Sequence, residues 1–346
     1  MGCSLLLFAG QEVARNTSVF SPVSPPADFI RTLFFLVMAI CAGILVIVEA
    51  VLIYSLVKFR RRAGDNTSEP PQVYGSTPIE IAWTTAPALI VFLFILALFR
   101  TEFKVRTDPA RPPEGGEPLY VTVIGHQWWW EYVYDRLGDE ELRGTDGARL
   151  ITANELRVPL SETGTPRPVY LTLKSADVCH SFWVPRLAGK TDLIPGRVNQ
   201  MWFEAMEPGV YVGQCAEYCG TQHANMLLRV VVEKPEEFRR WLDAERKPAA
   251  APVGAQLTRG RDLFLRTSCV NCHRVRGTAA QGTFGPDLTH LMGRSTLAAG
   301  MVDNGTDELR RWVDDPQTVK PGCLMPAMKL SPDELSLVVD YLRSLK

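Results

Sequence analysis

Charge of one sign is what this sequence most plainly lacks: 37 Lys and Arg stand against 38 Asp and Glu, the formal net charge is −1, and no block holds five like charges in a row. Without a basic stripe there is no electrostatic grip on a phosphate backbone, so no nucleic-acid partner is expected. Histidine is scarce, with five in 346 residues, and eight cysteines fall well short of the density of a small disulfide scaffold. A disordered tail protein is excluded by the 46% of apolar residues, which suffice for two folded units plus further hydrophobic segments. Four of the eight cysteines sit in two tight pairs, Cys215/Cys219 and Cys269/Cys272, with spacings that suit metal or haem chemistry.

Two apolar runs predict a membrane hairpin over residues 30–106. From Thr32 to Val48 there are 17 uncharged residues, and after Glu49 the run resumes from Ala50 to Val57. Together these make roughly 26 residues, ~39 Å of helix, enough to cross a bilayer with tilt. The second run, Ile81 to Phe99, holds 19 uncharged residues and ends at Arg100. Buried core helices would be amphipathic, whereas these runs are apolar all round. Lys58, Arg60, Arg61 and Arg62 close the first span, so the positive-inside bias places loop 58–79 in the cytoplasm and both termini outside. Glu49 lies about 12 Å inside the inner boundary, where an unpaired carboxylate is costly. It is expected to face protein, either as an interhelical hydrogen-bond partner or in a proton path. Residues 1–29 form an exported segment. Met1 to Phe8 is too short for an ordinary signal peptide, but Gly2-Cys3 followed by a polar stretch resembles a lipoprotein processing junction and makes Cys3 a candidate for lipidation.

From 107 to 246 the pattern turns to short β-rich runs, Leu119–Ile124, Trp128–Tyr134, Val169–Leu173, Val198–Phe203 and Met226–Val232, bounded by Gly, Pro and Asn/Asp turns. An all-β sandwich or barrel is the reading. A charged helix follows at Pro235–Glu245, then a Pro/Ala-rich linker over 247–255. Residues 256–346 read as an all-α domain. Its last helix opens on Ser331-Pro332-Asp333-Glu334, an N-cap with Pro at N1 and Glu at N3.

Between Cys215 and Met226 the chain reads Cys-Ala-Glu-Tyr-Cys-Gly-Thr-Gln-His-Ala-Asn-Met, with His180 upstream. Two thiolates, two imidazoles and a thioether are a soft ligand set suited to copper and unsuited to magnesium or calcium. Zinc is the chemical rival, and a Cys215–Cys219 disulfide is the other alternative outside the cytoplasm. These residues resemble the dinuclear copper site, CuA, of the cytochrome c oxidase subunit II family, whose pattern of a His followed later by C-x-E-x-C-x3-H-x2-M is filled at every position. The resemblance implies a cupredoxin-like fold, side-chain ligands His180, Cys215, Cys219, His223 and Met226, and a backbone carbonyl from Glu217. Cys179 has no place in the pattern and is expected to be a small buried hydrophobe.

The resemblance covers residues 20–240. Gly125-His126-Gln127-Trp128-Trp129-Trp130-Glu131-Tyr132 is similar to the family's aromatic stretch over the copper loop, where the first Trp receives electrons from cytochrome c; this maps to Trp128. The other two tryptophans then serve as core and interface aromatics. Lys190–Arg197 resembles the loop facing subunit I, Glu80 the carboxylate at the mouth of a proton channel, and Glu217 the residue whose side chain helps bind magnesium at the subunit I boundary.

Cys269-Val270-Asn271-Cys272-His273 is the C-x-x-C-H attachment sequence of c-type haem, in which two thiols bond the vinyl groups and the His ligates iron. In an exported helical domain it marks a cytochrome c. Of the methionines available as second axial ligand, Met325 in Lys320-Pro-Gly-Cys-Leu-Met-Pro326 fits best, with Met328 and Met292 as alternatives. Cys323 and its thiol near the haem edge have no assigned role, and His290 is expected at the surface.

A two-helix anchor, a CuA domain and a cytochrome c on one chain together resemble subunit II of a caa3-type oxidase in a bacterial inner membrane. That resemblance implies electron flow from cytochrome c or another periplasmic donor through haem c and CuA to the haem/CuB centre of subunit I, with subunit III and membrane lipid as further partners. Oxygen chemistry on this chain itself is excluded by its five histidines, three already assigned. The alternatives are subunit II of a CuA-containing nitric oxide reductase and a free membrane-anchored carrier. Glu80 and the 190–197 loop argue against the latter.

Overall fold

A computed structural model describes residues 17–62, 64, 69, 72, 74–107, 116–162 and 164–346. Cys3 lies outside the described residues. The chain divides into two compact bodies, residues 28–108 and the remainder.

The first body is a helical pair, α1 (Pro25–Lys58, whose first turn belongs to the second body) and α2 (Thr77–Arg106). Both are long and apolar enough to cross a membrane, and the most apolar stretch of each is unburied within the chain. This exposure of Leu, Ile, Val and Phe on all sides is what distinguishes a lipid-facing helix from a core helix. Glu49 is exposed on α1, and Glu80 stands exposed in the first turn of α2.

The second body begins with a β-sandwich. Its strands are β1 (Leu119–His126), β2 (Trp129–Leu137), β3 (Glu140–Glu141), β4 (Leu150–Ala153), β5 (Glu155–Pro159), β6 (Val169–Ser175), β7 (His180–Trp183), β8 (Thr191–Leu193), β9 (Asn199–Phe203), β10 (Gly209–Cys215) and β11 (Leu227–Glu233). One sheet runs β3-β2-β1-β6-β9 with β4 beside β2; the other runs β5-β11-β10-β7-β8. The pairs β1/β6 and β5/β11 are parallel and the rest antiparallel. Alternation decides what faces inward: in β11, Leu228, Val230 and Val232 are buried while Leu227, Arg229 and Glu233 point the other way. Fully buried Trp130, Tyr132, Phe182 and Phe203 fill the space between the sheets. Val23 joins this core and pairs by backbone with Arg186 and Met206, so the segment before α1 is fastened to the sandwich.

Helix α3 (Pro235–Glu245) buries Phe238 and Leu242 against the sandwich. The second core belongs to α4 (Ala255–Arg266), the single turn α5 (Cys269–Cys272), α6 (Thr306–Asp314), α7 (Pro316–Val319) and α8 (Pro332–Arg343), with a small ribbon of β12 (Thr296–Leu297) and β13 (Val302–Asp303). Helix α8 opens with the expected capping box: Ser331 Oγ accepts from Glu334 N, and Ser331 N donates to Glu334 Oε2 at 2.9 Å. Its buried stripe, Leu335, Val338, Val339 and Leu342, packs with Phe264 of α4.

Candidate metal centres

The copper-type donors converge at one edge of the second sheet. His180, fully buried, opens β7; Cys215 ends the neighbouring β10, and the following loop returns through Cys219 and His223 to Met226, just before β11. Cys215 Sγ lies 3.8 Å from Cys219 Sγ, 3.9 Å from His180 Nδ1 and 3.2 Å from the Glu217 carbonyl. Cys219 Sγ lies 3.6 Å from His223 Nδ1 and 3.8 Å from Met226 Sδ. A disulfide is excluded, since its sulfurs would sit about 2.05 Å apart. Six donors, two of them the shared sulfurs, exceed what a tetrahedral zinc ion takes and fit a pair of ions bridged by both thiolates.

Neighbours orient these donors. Asp177 Oδ1 lies 2.8 Å from His180 Nε2, which leaves Nδ1 turned to the sulfurs. Burial works against the charge of both partners, but their mutual bond prevails: the Asp177 carboxyl is held below and the His180 imidazole above its ordinary range. In the thiol pair, the hydrogen bond from Cys219 pulls the Cys215 thiol well below the ordinary range, and Cys219 keeps its proton far above it. Gly125 makes room for the imidazole: a Cβ there would fall 2.8 Å from the His180 ring. The Glu217 side chain is exposed, as are Pro195–Val198 in the loop after β8. Cys179 corrects its expectation. It is exposed, because it sits in the turn whose Asp177 reaches back to His180, ahead of the first buried residue of β7.

The haem-type residues surround a cavity of about 250 Å³. Cys269, Cys272 and His273 line one part of it, and Cys323, Leu324, Met325 and Met328 another. His273 Nδ1 bonds the Pro286 carbonyl at 2.8 Å, leaving Nε2 as the free ring nitrogen; burial pushes its pKa down, which favours the neutral ligand form. Gly285 is required beside it, since a Cβ would lie 2.7 Å from the ring. The apolar lining, from Phe264 and Leu288 to Val338 and Leu342, suits a porphyrin face. Met292 is absent from the lining and packs in the helical core instead, while Met325 and Met328 both reach the cavity. His290 is half-buried rather than a free surface residue: its ring nitrogens bond the Lys346 carbonyl at 2.7 Å and the Lys247 carbonyl at 2.9 Å.

The copper loop and the haem cavity adjoin. Gln127, Trp128 and Trp129 line the cavity from the sandwich side. Trp128 Nε1 donates to the Cys219 carbonyl at 3.0 Å, Trp129 stacks on His126 with centroids 4.2 Å apart, and Trp130 is a core residue packed edge-on to Phe182. Several residues that hold this junction were not singled out from sequence. Buried Glu155 accepts from Ser295 and Thr296 through both backbone N–H groups and both hydroxyls, at 2.6–3.0 Å. Arg229 Nη1 donates to Thr296 Oγ1 at 3.0 Å, and Leu227 N to Ala299 O at 3.1 Å. Lys320 is 2% exposed, and burial pushes its pKa down to about 8. The start of the linker is held as well, since Arg276 donates to the carbonyls of Glu245, Arg246 and Lys247.

Fold and site together define a membrane-anchored redox subunit with a cupredoxin and a c-type cytochrome on one chain. The model of the cytochrome c oxidase subunit II transmembrane domain matches residues 17–102, that of its periplasmic domain residues 119–234, and that of cytochrome c residues 257–346. Cytochrome c oxidase subunit 2 of Alkalihalophilus pseudofirmus is 33% identical over 333 residues, covering 96% of this chain and 92% of that protein. The Bacillus subtilis protein of the same name is 31% identical over 310 residues, covering 85% and 82%. A solved periplasmic domain of oxidase subunit II from Bradyrhizobium japonicum is 32% identical, covers 39% of this chain and 97% of its own, and has a TM-score of 0.31. The chain belongs to the cytochrome c oxidase subunit II family, in its form with a C-terminal cytochrome c domain.

Proposed function

We propose that this chain holds a CuA pair through His180, Cys215, Cys219, His223, Met226 and the Glu217 carbonyl, and one covalent haem c through Cys269, Cys272, His273 and Met325. When bound, the two centres accept and release single electrons on the way to subunit I, where oxygen is reduced. The carrying observation is the geometry of the copper loop: two thiol sulfurs 3.8 Å apart, each flanked by its own imidazole nitrogen. His180, Cys215, Cys219 and Met226 are buried and His223 is half-buried, a packed setting that keeps reorganisation small. Asp177 fixes the His180 ring, and Pro286 O fixes the His273 ring. Trp128 closes the haem cavity and touches the copper loop through Cys219 O, so it is the natural bridge between the centres.

The exposed Glu217 carboxylate is free to share a magnesium ion with subunit I, and Glu80 to stand at a proton-channel mouth. The basic end of α1 supports a cytoplasmic loop 58–79, with the sandwich and cytochrome on the outer face of an inner membrane. Subunit III and a periplasmic donor such as cytochrome c complete the expected partners. Metal analysis and electron spin resonance of the purified chain test the assignment. Two coppers per haem with a seven-line mixed-valence signal are expected; zinc, or one copper without that signal, would refute it. Oxygen uptake against nitric oxide consumption by the purified membrane complex separates the oxidase from a nitric oxide reductase.

A further inference from the structure

The loop that carries Met325 begins at Lys320, and the ammonium of Lys320 leaves its own domain. Its Nζ donates to Trp128 O at 2.9 Å, to Asn225 O at 2.9 Å and to Ala298 O at 3.1 Å. Three donors thus meet three carbonyls in a site that is 2% exposed, and the ammonium's capacity is fully used. Each acceptor has its own meaning. Trp128 lines the haem cavity and bonds Cys219 O through its indole; Asn225 precedes Met226; Ala298 lines the cavity from the cytochrome side. Ala298 and Ala299 both hold left-handed backbone, φ 53° and 60°, which L-residues other than Gly seldom adopt. That conformation persists only where the surroundings impose it, and here it accompanies the contacts of Ala298 O with Lys320 and of Ala299 O with Leu227.

A lysine selected for solubility would stand in water, and a surface ion pair would use a carboxylate. This one takes neither course. A buried ammonium held by main-chain carbonyls fixes backbone positions, because a change of rotamer in a neighbour cannot satisfy it. We propose that Lys320 is a positioning residue for haem-to-copper electron transfer: it locks the axial-methionine loop of the cytochrome onto Trp128 and onto the copper loop at Asn225. The proposal rests on the reading of the two centres given above. Transfer moves one electron from the reduced haem to the oxidised copper pair, with no bond made or broken and no proton carried, so Lys320 acts through distance and orientation alone.

The full chain, loaded with both centres, supplies the test. Acetic anhydride labelling of the native protein should leave Lys320 unmodified while exposed Lys329 reacts; equal reaction of the two overturns the proposal without any variant being made. In Lys320→Met, copper and haem spectra should match the parent, exchange of the Leu227 amide should rise, and flash-initiated transfer should slow by about tenfold to a hundredfold. Glu155→Gln, which weakens the same interface at a residue that does not itself line the cavity, serves as the control and should slow transfer far less. An unchanged rate in Lys320→Met, or equal slowing in both variants, would reduce Lys320 to general adhesion and overturn the proposal. Absence of haem-to-copper transfer in the parent chain would instead sink the underlying reading of the two centres.

Discussion

The copper loop and the haem cavity solve the problem of holding a redox group in opposite ways. In the copper loop, Cys215, Cys219 and Met226 are members of the sandwich core, and His180 is fully buried beside them. Strands β7 and β10 and the loop from β10 to β11 bring the donors together. In the cytochrome, Cys269, Cys272, His273 and Met325 are only half-buried, and they ring a cavity of about 250 Å³. There the proposed haem would itself supply part of the core. A site built into a sheet is pre-organised, whereas one built around a ligand is completed by it.

The largest expected effect follows from that contrast. Cys269→Ala with Cys272→Ala, which prevents attachment, should cost the helical domain its cooperative melting transition, because the apolar cavity is then left unfilled. Cys215→Ser with Cys219→Ser should remove copper while the sandwich still melts as a unit. Calorimetry on the two variants checks the comparison, and a cytochrome domain that melts normally without haem would break it. A smaller effect sharpens the haem side. Met325→Ala should abolish the sulfur-to-iron band at the far-red edge of the visible spectrum, and Met328→Ala should leave it; the reverse result would move the axial role to Met328, which lines the same cavity.

The copper side has its own, milder signature. In the metal-free chain the first thiol proton of the Cys215/Cys219 pair should be lost well below the ordinary thiol range of about 8.5, since the thiolate formed accepts hydrogen bonds from Cys219 and His180. Falling pH therefore protonates this pair only in acid, and the second proton stays on throughout the neutral range. Thiolate absorbance followed against pH reads this directly. Two thiols titrating together at the ordinary value would mean that the loop is not pre-assembled.

How much could be read from sequence follows the same division between local and distant. The proposed copper donors from Cys215 to Met226 lie within twelve consecutive positions, and their spacing on one loop already suggests a shared site. The attachment motif is local in the same sense, and so are the α8 capping box and α3, whose bounds match the charged segment. Strands β3, β4, β5, β7, β8 and β10 are not legible in the sequence, being short or interrupted by glycine, and four of them join β11 to form the second sheet. Lys320 and Trp128 are 192 residues apart, so nothing near either one announces their contact. Asp177 has a local signal, an acid three residues before the proposed ligand His180, that the family pattern does not contain. The expectation for Cys179 fails because adjacency to buried His180 does not carry burial across the turn before β7, which faces outward.

The central claim is that the cytochrome delivers electrons to copper within one chain, across the junction at Trp128. Flash reduction of the haem in the purified full chain, followed at several protein concentrations, tests it most directly. A docked domain holds the haem at an effective concentration on the order of millimolar or higher, so copper should be reduced at a rate independent of chain concentration. Trp128→Ala should slow that rate by orders of magnitude with both spectra intact, while Trp130→Ala should chiefly cost stability, about 3–5 kcal/mol for a core tryptophan. A rate that rises in proportion to chain concentration, or one unchanged in a spectroscopically intact Trp128 variant, would contradict the account.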